Sequence, residues 1–396
     1  MAAPMPMLTV LFISNDYRSF MAHRASLTRH LAARGHRVVL AVGYVPDDIS
    51  DANEIGLEVR PLPINRWRFS PLADLATWQA LSGLVATLQP DVVHTITAKP
   101  TMFACLLLKR GKLPGTNVVL TFAGLGRLFE AKASLPMRVQ RFIVGLVLRA
   151  VADRPQLDAT FENAADKATI QAFTGMADGR LHVTRGAGVD LSRFVPPEKP
   201  RSGQLTVLFA SRLLKAKGID LYMHCARQFS AQYGASFVIA GPTDSGDADA
   251  VSEAELMRAH ADGFIDYIGL QPMTAMPELL RRTDIMCLPT RYGEGFPRIV
   301  IEAMAAGCAV ISSDHASLTS LVDNQRNGWL YPVTDDSAFV QALEVALSHP
   351  DETRAKGTQA ALDIRAAGVD EDAVNAHFER IYAAQIERNA PAKSGH

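Results

Sequence analysis

Nearly unbroken apolar runs alternate with helical stretches along this chain, and the series starts twice. Leu8-Thr-Val-Leu-Phe-Ile-Ser14 is such a run, the mark of a parallel strand buried on both faces. A helical stretch from Ala22 to Arg34 follows, with Gly35 as its C-cap. Arg37–Val42, Asp91–Ile96 and Asn117–Thr121 continue the strand series. A second series runs through Leu205–Ala210, Ser236–Ala240, Phe264–Ile268, Ile285–Leu288 and Ala309–Ser312. Alternating strands and helices imply open parallel sheets with helices on both faces, here two of them. A length of 396 residues agrees, because single cores rarely exceed about 250–300 residues. Arg193–Gly203 holds three prolines and no periodicity, so the expected division is a first domain 1–195, a linker 196–203 and a second domain 204–370. A last helix within 371–390 could pack on either domain, crossing back to the first, and 391–396 reads as a disordered tail. Ligands of such sheets sit at the carboxyl ends of the strands.

One stretch carries the most chemistry: Tyr292-Gly-Glu-Gly-Phe-Pro-Arg-Ile-Val-Ile-Glu-Ala-Met-Ala-Ala-Gly307. Gly293 and Gly295 let backbone approach a ligand closely. Pro297 suits the first turn of a helix, whose N–H groups and dipole favour an anion. Glu294 and Glu302 stand eight positions apart and accept hydrogen bonds from hydroxyls. A guest with both phosphate and sugar hydroxyls, a nucleotide-sugar, satisfies all of these groups. After Leu205–Ala210 comes Ser211-Arg-Leu-Leu-Lys-Ala-Lys-Gly218, where Arg212, Lys215 and Lys217 suit diphosphate oxygens at a strand's carboxyl end. The competing reading is a solvated basic turn.

Charge is spread unevenly: residues 1–195 hold 22 Lys and Arg against 15 Asp and Glu, and the remainder 18 against 26. A basic first half suits an anionic partner, a phosphate or a bilayer surface. The four cysteines are far apart and lack metal-ligand spacing, which fits core residues in a reducing compartment. Met1–Met7 lacks the form of a signal peptide, and no apolar run reaches the ~18–20 residues of a membrane span. The expected protein is soluble or peripheral and cytoplasmic, on the inner face of the cytoplasmic membrane.

Arg212-Leu-x-x-x-Lys217-Gly218, followed by Glu294-Gly-Phe-Pro-x-x-x-x-Glu302-Ala-Met-Ala-x-Gly307, resembles the retaining family 4 glycosyltransferases of the GT-B fold. Gly188-Val-Asp190-x-x-x-Phe194 and Asn327-Gly-Trp-Leu-Tyr-Pro332 extend the resemblance over nearly the whole chain. It implies two Rossmann-like α/β domains whose parallel sheets face each other across a cleft. It implies further that Arg212 and Lys217 bind the donor diphosphate, that Glu302 binds the ribose hydroxyls, and that Glu294, Gly295 and Phe296 hold the hexose. Amides of the helix at Pro297 would stabilise the leaving phosphate. Ala309, where many members have proline, and Leu318–Asp323, where a glutamate is often found, depart from the pattern.

In the first domain, Val93-His94-Thr-Ile-Thr-Ala-Lys99-Pro100, Thr121-Phe-Ala-Gly124-Leu-Gly126-Arg-Leu-Phe129 and Phe161-Glu-Asn163-x-x-Asp166 resemble a bacterial branch. Its members extend polyprenyl-diphosphate-linked sugars, some from UDP-N-acetylhexosamines. By that resemblance His94 stands at the cleft mouth as a catalytic group beside Glu294, Arg212 and Lys217. His23, Arg24, Lys99, Gly124 and Arg127 are then the acceptor-side candidates. Lys132–Arg154 mixes arginines with an apolar run; it reads either as a helix on an anionic membrane or as a core helix with a wet edge, and a lipid-linked acceptor favours the membrane. Asp247-Ala-Asp249 resembles a metal-binding Asp-x-Asp but lies in a polar loop, and GT-B enzymes generally need no metal, so it is assigned to solvent. The expected donor is a UDP-sugar, with no cofactor and no nucleic acid. A nucleotide-sugar epimerase of the same fold and a non-catalytic nucleotide-sugar-binding protein remain as alternatives. An oxidoreductase would need Gly-x-Gly-x-x-Gly where Ser14-Asn-Asp-Tyr-Arg-Ser19 stands.

Overall fold

The computed structural model describes residues 6–64, 71–125, 135–199, 201–243, 246–291 and 293–390. The chain divides into two compact units, one of residues 1–188 with 371–396 and one of 189–370.

The first unit is built on β1 (Thr9–Ser14), β2 (Arg37–Val42), β3 (Leu57–Pro61), β4 (Val92–Ile96), β5 (Asn117–Phe122), β6 (Leu157–Phe161) and β7 (Leu181–Val183), in the order β3-β2-β1-β4-β5-β6-β7, all parallel. Its helices are α1 (Tyr17–Ala33), α2 (Ser50–Glu54), α3 (Pro71–Leu88), α4 (Ala98–Lys109), α5 (Leu135–Arg149) and α6 (Ala164–Thr174). The first helix starts earlier than its apolar spacing suggests. Asp16 is its N-cap, accepting from the Ser19 amide at 2.7 Å, and Asn163 caps α6 in the same way. The central strands β4 and β5 are buried at every position, as strands covered on both faces must be.

In the second unit β8 (Thr206–Ala210), β9 (Ser236–Ala240), β10 (Asp266–Tyr267), β11 (Ile285–Leu288), β12 (Ala309–Ser313) and β13 (Gly328–Tyr331) form a parallel sheet in the order β10-β9-β8-β11-β12-β13. Helices α7 (Ile219–Tyr233), α8 (Glu253–Ala261), α9 (Met276–Arg281), α10 (Arg298–Ala305), α11 (Asp336–Ser348) and α12 (Pro350–Ala366) surround it.

The expected boundary at 195 and linker 196–203 need correction. Val189, Leu191 and Phe194 are buried in the second unit's core, and Arg365 donates to the Leu191 and Phe194 carbonyls. Arg201 donates to the carbonyls of Leu280, Arg281, Ala306 and Gly307. The proline-rich stretch is thus bonded onto the second unit, and the chain leaves the first unit at Gly188. The last helix, α13 (Glu371–Asn389), belongs to the first unit. Val374, Phe378, Ile381 and Tyr382 sink into the core beside α1, while Glu379 pairs with His30 and Arg34, and Arg388 with Asp158.

Candidate active site

In the second unit, β8 and β11 are hydrogen-bonded neighbours, so the loops leaving their carboxyl ends emerge side by side. The loop after β8 carries Arg212 and closes as a 3₁₀ turn, Lys215–Lys217, before Gly218 and α7. The loop after β11 carries Gly293 to Pro297 and enters α10. Gly218 adopts φ +81°, and a Cβ there would stand 2.1 Å from the Pro289 carbonyl oxygen. Only glycine allows this left-handed bend and this approach.

Arg291 fastens the two loops together. Its amide donates to the Ala216 carbonyl at 2.7 Å, and its guanidinium donates to the Lys215 carbonyl at 2.8 Å. The same guanidinium pairs with Asp220 and Asp336 at 2.7 and 2.9 Å. Burial works against its charge, but the hydrogen bonds it donates to Asp220 and Asp336 outweigh it and hold the guanidinium's pKa above the ordinary value. Asp249 braces the cation loop from the other side, accepting from the Ala216 amide at 2.8 Å through its carboxylate and from the Lys215 amide at 2.9 Å through its carbonyl. The assignment of Asp247-Ala-Asp249 to solvent is therefore corrected: both aspartates are half-buried, and Asp247 accepts from the Asp249 amide at 3.0 Å.

These braces bring the expected charges together. The Lys217 ammonium pairs with the Glu294 carboxylate, each side chain about nine-tenths buried at 11% exposure. One turn inside α10, Arg298 Nε donates to Glu302 Oε1 at 2.6 Å, and Glu302 is 5% exposed. Arg212 is exposed. Pro297 is the N-cap of α10 and Arg298 its first residue, one position later than the first-turn placement expected of the proline; no side chain caps that end. Gly295 and Phe296 lie in the loop just before it. The loop leaving β12, the strand on the far side of β11, adds the buried atoms His315 Nε2 and Ser317 Oγ, neither with a hydrogen-bond partner. Sequence reasoning missed Arg291, Arg298, His315 and Ser317. A basic residue four positions before Glu302 was a visible signal for Arg298; the other three have no sequence signal, since their roles arise from neighbouring strands.

The acceptor-side candidates fare differently. His94 is fully buried: Nδ1 lies 2.6 Å from Tyr382 Oη and Nε2 2.5 Å from Thr121 Oγ1, with Phe12 and Phe378 against the ring. Burial, then the charge of Arg24, pushes its pKa well below the ordinary value. His94 is thus a neutral core residue, which corrects its expected catalytic place at a cleft mouth. Arg24 is 2% exposed, donates to the His23 carbonyl at 2.9 Å and lies 5.4 Å over the Phe378 ring. Lys99 is 5% exposed and pairs with Asp74 at 2.7 Å. Both cations face inward, so neither is presented to a diphosphate. His23 is exposed, and Gly124 follows β5 with φ +86°. Arg127 lies outside the described residues.

Residues 22–155 match the model of the Glycosyl transferase 4-like domain, and residues 193–363 that of Glycosyl transferases group 1. The putative colanic acid biosynthesis glycosyltransferase WcaL of Escherichia coli K12 is 30% identical over 39% of this chain and 39% of its own, so the match spans about two fifths of that relative's length. The Campylobacter jejuni N,N'-diacetylbacillosaminyl-diphospho-undecaprenol alpha-1,3-N-acetylgalactosaminyltransferase is 24% identical over 80% of this chain and 83% of its own. Among solved structures, Anabaena HepE in complex with UDP and glucose superposes with a TM-score of 0.77 at 14% identity, covering 95% of this chain and all of that one. Two Rossmann-like units, each built on a parallel sheet with helices, give the chain the GT-B fold. Within that class the chain belongs to the GT4-type glycosyltransferases.

The clamp by Arg291 gives a direct prediction. Arg291→Ala should raise KM for the donor about tenfold or more, at least 1.4 kcal/mol of binding, with kcat less affected. Arg291→Lys, which keeps the charge but loses the planar fork, should recover part of the loss. An unchanged KM in Arg291→Ala would show that the loops need no fastening.

Proposed function

We propose that this chain is a retaining glycosyltransferase that moves a hexose or N-acetylhexosamine from a UDP-sugar to a sugar carried on a polyprenyl diphosphate, in polysaccharide or glycolipid assembly. The observation that carries the reading is the meeting of Lys217 with Glu294 across two clamped loops at adjacent strand ends, with Arg298 meeting Glu302 in the first turn of α10. A nucleotide-sugar supplies what both pairs lack in its absence: phosphate for the cations and hydroxyls for the carboxylates.

On arrival of the donor, Lys217 would exchange Glu294 for the diphosphate, assisted by Arg212. Glu294, released, would accept from hexose hydroxyls beside Gly295 and Phe296. Glu302, oriented by Arg298, would accept from the ribose. As the anomeric C–O bond breaks, negative charge grows on the β-phosphate. Lys217, Arg212 and the uncapped amides at the start of α10 would stabilise that charge. The acceptor hydroxyl attacks the same face and gives its proton to the departing phosphate, so no separate base is needed. No metal is assigned to this chemistry; the cations replace it. The acceptor is assigned to the first unit, with His23, Gly124 and Arg127 as its remaining candidates. The lipid-linked acceptor of the Campylobacter relative and the UDP in HepE support this choice of substrates by analogy.

The test is UDP release measured with and without a polyprenyl-diphosphate-linked sugar. Release that requires the acceptor supports transfer. Interconversion of the nucleotide-sugar without acceptor would instead identify an epimerase, and binding without turnover a sugar-nucleotide-binding protein. In a thermal-shift series, the true donor at a hundred times its Kd should stabilise the fold by about 2.7 kcal/mol, several degrees in Tm, and exceed every other nucleotide-sugar. A flat series would remove the UDP-sugar assignment.

A further inference from the structure

Helix α5 carries an apolar strip that the fold leaves uncovered. Val139, Phe142, Ile143 and Leu146 are 52%, 61%, 46% and 50% exposed. Their spacing of i, i+3, i+4 and i+7 places them on one face, about 100° wide. The opposite face is the one the core uses, because Val144 and Leu148 are buried there. Gly145 locks that setting: a Cβ on it would stand 2.4 Å from the Phe173 ring of α6. Turning α5 to hide the strip would break this close approach and pull Val144 and Leu148 out of the core.

Single exposed apolar residues are ordinary on a protein surface, but four neighbours on one helix face mark an interaction site. Charge selects the partner. From Ala131 to Ala152 the sequence holds no Asp or Glu, while Arg138, Arg141 and Arg149 lie within α5. Arg138 and Arg149 are exposed, Arg149 while donating through Nε to the Phe173 carbonyl at 2.6 Å, and at about 100° per residue both fall along one edge of the strip. An apolar strip with arginines at its rim and no acid matches a surface that is anionic outside and apolar just beneath. A second copy of the same face would set these arginines against their equals, which disfavours self-pairing. Leu72 and Leu75 of α3 are also exposed, at 82% and 52%. Helices α3 and α5 pack on the same sheet face, and each follows a parallel strand, so their first turns lie at the same carboxyl end of the sheet.

We propose that the α5 strip docks the first unit on an anionic phospholipid bilayer, lying flat at headgroup depth. No helix among the described residues is long and apolar enough to cross a membrane; docking by this strip would bring the chain to a lipid-borne substrate. The inference deepens the acceptor reading above, yet the docking can be measured without any sugar transfer.

The experiment is flotation of the full chain with vesicles of phosphatidylcholine alone or of equimolar phosphatidylcholine and phosphatidylglycerol. The chain should float with the anionic vesicles and be released by high salt. Phe142→Ser/Leu146→Ser should lower the bound fraction about tenfold with an unchanged thermal unfolding curve, because both side chains face solvent. Arg138→Glu should weaken binding to the anionic vesicles only. Absence of flotation, equal flotation of the double variant, or a dimer that the double variant abolishes without any lipid binding would each overturn the proposal. Transfer to a detergent-dispersed short-chain acceptor should survive the double substitution. Loss of all transfer in the native chain with flotation intact would sink the functional reading and leave the docking surface standing.

Discussion

Lys217→Ala is expected to lower kcat/KM by about 10²–10³-fold while the chain stays folded. Lys217 has two charge partners in this account, one before the donor binds and one after. Without ligand its ammonium neutralises Glu294, and both side chains are largely buried. With the donor in place, under the proposed function, it would face the charge that develops on the β-phosphate. Alanine removes both interactions and leaves Glu294 uncompensated, so part of any stability loss comes from the stranded carboxylate. The double variant Lys217→Ala/Glu294→Ala should therefore be more stable than the two single losses combined, by a coupling of about 0.5–3 kcal/mol. Its transfer should stay as low as that of the worse single variant, because stability returns without the chemistry. Glu302→Ala takes away the carboxylate that Arg298 meets at 2.6 Å and should also nearly abolish transfer. Kinetics on purified variants, set beside urea unfolding, separate the two effects. Full activity in Lys217→Ala or Glu302→Ala would remove the site.

The parts of this site that follow from chain-local rules were legible in the sequence. Parallel strands buried on both faces read as apolar runs, and the left-handed bend at Gly218 fixes where the chain turns from the β8 loop into α7. Strands that carry a polar residue inward did not read this way. β6 contains Asp158, 1% exposed, which is legible as strand only once His182 and Arg388 are known to pair with it. β3 alternates at the sheet edge, and β13 hides within an Asn-Gly-Trp turn motif. The functional misreadings share a cause. His94 lies in the middle of β4, Arg24 inside α1 and Lys99 in the first turn of α4, and what each meets is set by distant segments. Tyr382 from the last helix takes His94, Phe378 covers Arg24, and Asp74 takes Lys99. Spacing along the chain carries no information about such partners.

That last helix gives the first unit an acid-sensitive core, and the sign follows from His94. Its pKa in the folded chain is depressed, first by burial and then by the nearby Arg24, whereas in the unfolded chain it titrates near the usual value of about 6.5. Below that pH the unfolded chain binds a proton that the folded chain refuses. Stability from the neutral imidazole is thus complete above about pH 6.5 and is lost as the pH falls below it, by at most about 1.4 kcal/mol per pH unit. His36 and His377 are depressed in the same direction, mainly by burial, and add smaller contributions over the same range. Unfolding by urea from about pH 7.5 down to about pH 5 should show this falling limb. His94→Gln should flatten it, since an amide can still meet Tyr382 and Thr121 but takes up no proton. At about pH 7.5 the variant should be less stable by about 1–3 kcal/mol, from imperfectly paired polar groups. Its kcat/KM should stay within a few-fold of the native chain, because a residue with both ring nitrogens engaged in the core touches no substrate. A loss of 10²-fold or more in a fully folded His94→Gln variant, of the size that removal of a catalytic acid or base gives, would return His94 to the reaction and refute its reading as a core residue.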